Sequence, residues 1–169
     1  VGELIVRHDH PWTHFAGYLN RPDATAEAWR NGWFHTGDLV RRDEAGSYFF
    51  IDRKKDAIRR RGENVSSAEV EAEALQHPEV GEACAVAVPS DLAEDEILLA
   101  YAGRDGKPPP ARELAEFLVP RMPHFMVPRY FRPMPTLPRT PTNKVRKVEV
   151  RSQGVTGDAW DREAAGMRL

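Results

Sequence analysis

Asp52-Arg53-Lys54-Lys55-Asp56-Ala57-Ile58-Arg59-Arg60-Arg61-Gly62-Glu63-Asn64-Val65-Ser66-Ser67-Ala68-Glu69 divides this 169-residue chain into two differently patterned parts. The first half of the stretch is almost entirely charged and reads as a solvated connection, so the domain boundary falls at Lys55. Its end starts something new. Ser66 and Glu69 have the spacing of a capping box, which predicts a helix reaching about Gln76, before Pro78 prevents continuation. Residues 83–88 and 96–102 are short β-rich runs separated by a polar turn, and residues 111–119 place Leu114, Phe117 and Leu118 at helical spacing ahead of Pro120. Seven of the 14 prolines lie between Pro120 and Pro141, which excludes a long helix there and leaves an extended segment with a short strand at 129–132. The expectation is an α+β fold in which a short β-hairpin and a small mixed sheet are flanked by helices.

Before the boundary, the chain opens on a strand signal at 4–6. A short helix at 24–30 stopped by Gly32 follows, then strands at 32–39 and 48–51 around the turn Asp43-Glu44-Ala45-Gly46. These strands have no obvious partner sheet of their own, so residues 1–54 read as the β-rich remnant of a larger domain. Residues 55–150 form the second domain, and 151–169 read as a polar, turn-rich tail in which only Trp160 stands out.

Charge and composition exclude several classes. With 24 Lys+Arg against 26 Asp+Glu, a net charge of -2 argues against a dedicated nucleic-acid binder, and the basic run at 53–61 lacks interleaved aromatics. No run is long and apolar enough for a membrane helix. The single Cys84 cannot form an internal disulfide, which fits a reducing, cytoplasmic setting, and among alanines and valines it reads as a small buried apolar residue. His8-Asp9-His10 has the look of a metal pair without a third ligand in reach, so no metal site is expected.

Three motifs occur in order: Gly32-Trp33-Phe34-His35-Thr36-Gly37-Asp38, then Asp52 to Asp56 leading into Arg61-Gly62-Glu63-Asn64, then Leu137-Pro138-Arg139-Thr140-Pro141-Thr142-Asn143-Lys144-Val145-Arg146-Lys147. With Phe125-Met126-Val127-Pro128-Arg129 ahead of the last, they resemble the carboxyl-terminal part of the AMP-forming acyl-CoA synthetases. That family also holds firefly luciferase and peptide-synthetase adenylation domains. The likeness is greatest to bacterial crotonobetaine/carnitine-CoA ligases and medium- to long-chain acyl-CoA ligases, and it extends over essentially residues 2–147.

The resemblance implies a ligase that uses ATP, Mg2+ and coenzyme A to activate a carboxylic acid as an acyl-adenylate and convert it to a thioester. The large amino-terminal domain of the same chain would be the partner of residues 55–150, a mobile domain. Asp38 and Arg53 are then the ribose contacts of ATP or AMP; from the residues alone, Asp38 serves as well to cap a turn. Lys55 is the hinge. Gly62 and Glu63 lie on the loop lining the pantetheine tunnel, although Gly62 equally suits a simple hairpin. Phe125 and Arg129 are candidates for the nucleotide end of coenzyme A, with core packing the equal alternative for Phe125. Lys144 is the catalytic residue, an ammonium that stabilises the charge gathering as a carboxylate attacks the α-phosphate. Its motif departs from the usual Thr-Gly-Lys in having Asn143, a residue that tolerates left-handed backbone angles. Lys54, Arg59 and Arg60 read as ordinary solvated surface. Neither the phosphate loop nor the acyl pocket occurs in these residues, so the 169-residue chain alone is expected to be inactive, and the acid cannot be read from it. The alternative is a free-standing module that binds a nucleotide or a protein without catalysis.

Overall fold

A computed structural model describes residues 1–10, 13, 16–90 and 94–169, which separate into two compact units, 1–55 and 56–169. The polar turn expected between the strands of the second unit lies partly outside the described residues.

In the first unit, β1 (Gly2–Val6) precedes α1 (Pro22–Ala28), a one-turn 3-10 helix (Arg30–Gly32), β2 (Phe34–Arg42) and β3 (Tyr48–Arg53). Pro22 opens α1, where a missing N–H costs nothing, and left-handed Asn31 and Gly32 end the helical stretch. The strands expected to lack partners pair with one another: β1 and β3 flank β2, both antiparallel. Tyr48, Phe49 and Phe50 on the edge strand β3 remain exposed.

The second unit starts with a hairpin of β4 (Ile58–Arg60) and β5 (Glu63–Val65), in which Arg60 faces Glu63 across the two-residue turn Arg61-Gly62. Both turn residues have positive φ, +52° and +79°, the left-handed pair that such a turn requires and that glycine supplies most readily. Next comes α2 (Ser67–Ala74), whose N-cap Ser66 accepts the Glu69 N–H at 3.2 Å, the bond its spacing predicted. The strands β6 (Val80–Pro89) and β7 (Asp95–Gly103), helix α3 (Ala111–Leu118), strand β8 (Tyr130–Met134), helix α4 (Lys147–Gln153) and strand β9 (Trp160–Asp161) complete it.

The sheet has the order β6-β7-β8-β9, with only β7 and β8 parallel. Central β7 is buried on both faces, so its side chains alternate between two cores. Ile97, Leu99 and Tyr101 join Ile58, Val65, Val70, Leu114 and Leu118 under α2 and α3. Leu98 and Ala100 join Cys84, Val86, Leu137 and Val150 under α4. This is the α+β domain expected. Residues 151–169, expected as a polar tail, instead finish α4 and supply β9, because Trp160 has Phe131 to pack on, with ring centroids 5.8 Å apart. No helix among the described residues is long and apolar enough to cross a membrane.

Candidate functional site

In the first unit, the antiparallel register of β2 and β3 places Asp38 directly opposite Arg53. Arg53 Nε lies 3.0 Å from Asp38 Oδ1, and its Nη1 donates to the Thr36 carbonyl at 3.3 Å. Asp38 Oδ1 is buried and the contact lies off the N–H direction, so it is a charge pairing rather than a directed hydrogen bond. The Asp38 side chain is 27% exposed. Arg53, Thr36 and Gly37 also line a concavity of about 440 Å3 with Glu3, Arg30, His35 and Lys54.

Around Lys55, each unit grips its own end of the chain. The Lys54 N–H donates to the Gly37 carbonyl at 2.8 Å and its ammonium reaches Glu3 at 2.9 Å, both within the first unit. Asp56, buried in the second, receives Arg151 Nη2 at 2.9 Å. Lys55 itself is exposed.

The tip of the β4–β5 hairpin holds Gly62 and Glu63, both exposed. The Gly62 N–H is fixed by Glu94 Oε1 at 3.1 Å, and a side chain added at Gly62 would meet nothing within 4 Å. Phe125 lies in the one-turn helix His124–Met126, half-buried against the larger core. Arg129 is committed: Nη2 donates to Asp161 Oδ2 at 3.0 Å, Nε to both Asp161 oxygens, and Glu163 lies 3.8 Å away. The Asp161 hydrogen bond raises its pKa further. A phosphate approaching Arg129 must compete with this carboxylate, although Nη1 carries no partner among the described residues.

Lys144 sits on a tight turn between Arg139 and Val145, which form a β-bridge. The Thr140 N–H donates to the Lys144 carbonyl at 2.8 Å, the Lys144 N–H to Thr140 Oγ1 at 3.1 Å, and the Asn143 N–H to the Thr140 carbonyl at 2.9 Å. Asn143 adopts φ +64°, and Arg139, itself 3.0 Å from Glu82, donates to its carbonyl at 2.8 Å. Just beyond the turn, Lys147 bonds Ser67 Oγ and Glu71 Oε1, each at 2.7 Å, and so fastens α4 to α2. Among the described residues, the Lys144 ammonium is exposed and makes no hydrogen bond or ion pair.

Three residues were missed. Arg60, read as solvated surface, is 1% exposed and paired with Glu96 at 2.8 Å. Its burial is what depresses its pKa, with Arg61 and Arg162 adding to the effect and Glu96 opposing it. Its signal was the alternation Ile58, Arg59, Arg60, which puts Arg60 on the inward face with Ile58. Asp161 and Arg162, in the supposed tail, carried no such signal. Cys84 is fully buried, and burial, reinforced by the charge of Glu71, pushes its thiol up to about 12, so it is no nucleophile at neutral pH. Among the described residues no three His, Cys, Asp or Glu side chains gather in a group that could hold a metal ion.

The mixed sheet of the second unit thus carries the braced, bare Lys144 on one turn, and the hairpin with Gly62 at its tip packs beside β7. Residues 69–144 match the family model of the AMP-binding enzyme C-terminal domain. It is 33% identical over 152 residues to a crotonobetaine/carnitine–CoA ligase of Salmonella arizonae, covering 89% of this chain and 29% of the relative. It is 38% identical over 136 residues to a fatty acid–[acyl-carrier-protein] ligase of Streptomyces coeruleorubidus, covering 80% and 26%. Among solved structures, the o-succinylbenzoate CoA synthetase of Bacillus subtilis with its acyl-adenylate superposes with a TM-score of 0.76 at 31% identity, over 89% of this chain and 30% of that one. The chain thus spans less than a third of the length of these relatives.

Proposed function

We propose that this chain is the terminal portion of an ATP-dependent acyl-CoA ligase, which makes an acyl-adenylate and then a thioester. The observation that carries the reading is Lys144, a bare ammonium on a turn held by backbone hydrogen bonds. Such a cation is worth most where negative charge develops, as on the α-phosphate oxygens during attack by a carboxylate. Asp38 would accept the ribose hydroxyls and Arg53 would fix that carboxylate. The residues that bind the acid, the phosphates and Mg2+ would lie in a longer polypeptide.

For the second step, the acyl group must meet a thiol where Lys144 has just acted, and rotation about Lys55 exchanges one face of the domain for another. The grips on Lys54 and Asp56 support Lys55 as the pivot, since they leave a single exposed residue between them. The hairpin tip at Gly62 and Glu63 would then line the path of the pantetheine arm, whose thiol attacks the acyl carbonyl and expels AMP. Phe125 would stack on the adenine of coenzyme A, and Arg129, through Nη1, would approach its phosphate.

The test is carboxylate-dependent ATP–pyrophosphate exchange, run on the 169-residue chain and on the product of the full reading frame that contains it. Exchange by the longer product alone is expected. Exchange by neither, or a reading frame that begins at Val1, would overturn the ligase reading in favour of a binding module.

A further inference from the structure

Arg60, with Arg162, is one of two arginines of the second unit that are 1% exposed, and the proposed chemistry does not use it. Removing a guanidinium from water is costly, and apolar pairs of similar volume often serve stability as well as a buried ion pair does. What an apolar pair cannot supply is direction. Arg60 Nη1 donates to the Val127 carbonyl at 2.7 Å and to the Phe125 carbonyl at 3.1 Å, while Nε lies 2.8 Å from Glu96 Oε2 in a charge pairing off the N–H direction. One planar group therefore ties three elements: strand β4, which leads into the Gly62 tip, the start of central strand β7, and the turn that presents Phe125.

The acids beside Glu96 act on the same hairpin. Glu94 accepts the Gly62 N–H at 3.1 Å, and Asp95 Oδ2 lies 3.4 Å from the Arg59 N–H. Three consecutive carboxylates thus hold three points within four residues of the hairpin, and Arg60 passes that hold on to Phe125 and Val127. Because both donors come from the one Nη1 group of a planar guanidinium, the spacing between the hairpin tip and the Phe125 turn is set by one side chain.

The geometry points to Arg60 as a positioning residue for the thiol-bearing substrate: it fixes the Gly62 tip and the Phe125 turn as one platform along which the pantetheine arm lies. This rests on the ligase reading, and in particular on the placement of coenzyme A at Gly62 and Phe125. It goes beyond that reading in separating the half-reactions, since Lys144 lies on a different turn and takes no part in the platform.

The test uses the full-length protein with Arg60→Lys, which keeps the charge opposite Glu96 but loses the fork, and with the double change Arg60→Met and Glu96→Met, which avoids a stranded buried charge. Pyrophosphate exchange and thioester formation from supplied acyl-adenylate are measured separately. Both variants should retain exchange within about twofold while KM for coenzyme A rises about tenfold, equivalent to about 1.4 kcal/mol. An unchanged KM for coenzyme A in either folded variant would overturn the inference. An equal loss of both steps would assign Arg60 to folding alone. Should the parent protein show neither step, the ligase reading fails and the platform falls with it.

Discussion

Glu3 shows how much one carboxylate can gather: its Oε2 meets Lys54 Nζ at 2.9 Å, His35 Nδ1 at 3.1 Å and Arg30 Nη2 at 3.4 Å. The Lys54 hydrogen bond, then that of His35, hold its carboxyl well below the usual range, at about 2, against the opposing effect of burial. A carboxylate depressed in the folded state contributes stability that is whole above its ordinary pKa of about 4.3 and is lost as pH falls through the folded value. Amide protection of β1 should accordingly stay level from about pH 7 to 5 and fall between about pH 4.3 and 2. Glu3→Gln should remove that fall, and an identical acid profile in the variant would count against the assignment. Arg60 makes a different point at the same scale. A run of three arginines looks solvated, and only its position in a three-residue strand, in step with Ile58, marks one as inward-facing. The partner that makes its burial tolerable, Glu96, lies far along the chain on β7, and such pairings are invisible to local pattern.

Among the elements, those with a local cause were legible: the Ser66 cap of α2, the continuous apolar run of β7, and the apolar stripe of α3 through Leu114 and Leu118. The last strand was not, because two residues carry no periodicity and β9 exists only by pairing Trp160 with Phe131 and Asp161 with Tyr130. Its importance lies in what it covers. Arg162 is 1% exposed and donates to the carbonyls of Pro128 and Met167, and Asp161 neutralises Arg129. Ending the chain after Gln153 would uncover Phe131 and leave Arg129 without its carboxylate. The combined loss of an aromatic contact and an ion pair should cost roughly 2–4 kcal/mol, read as a lower urea midpoint. A midpoint equal to that of the parent would mean that residues 154–169 are dispensable to the fold.

For the whole molecule, the likeness to acyl-CoA ligases and the braced Lys144 turn carry the functional account together. The three motifs were readable because each is a short run with its own backbone requirement, met for instance by Asn143 at φ +64°. The commitment of Arg129 to Asp161 was not, since its partner comes from a segment with no apparent structure in the sequence. The most direct measurement is Lys144→Ala in the full-length protein, with adenylate formation and thioester formation from supplied acyl-adenylate followed separately. Removing a charge that acts only in the first transition state should slow adenylation by about 100-fold or more and leave thioester formation within about twofold. Equal loss of both half-reactions, or adenylation at the parent rate, would contradict the role given to Lys144.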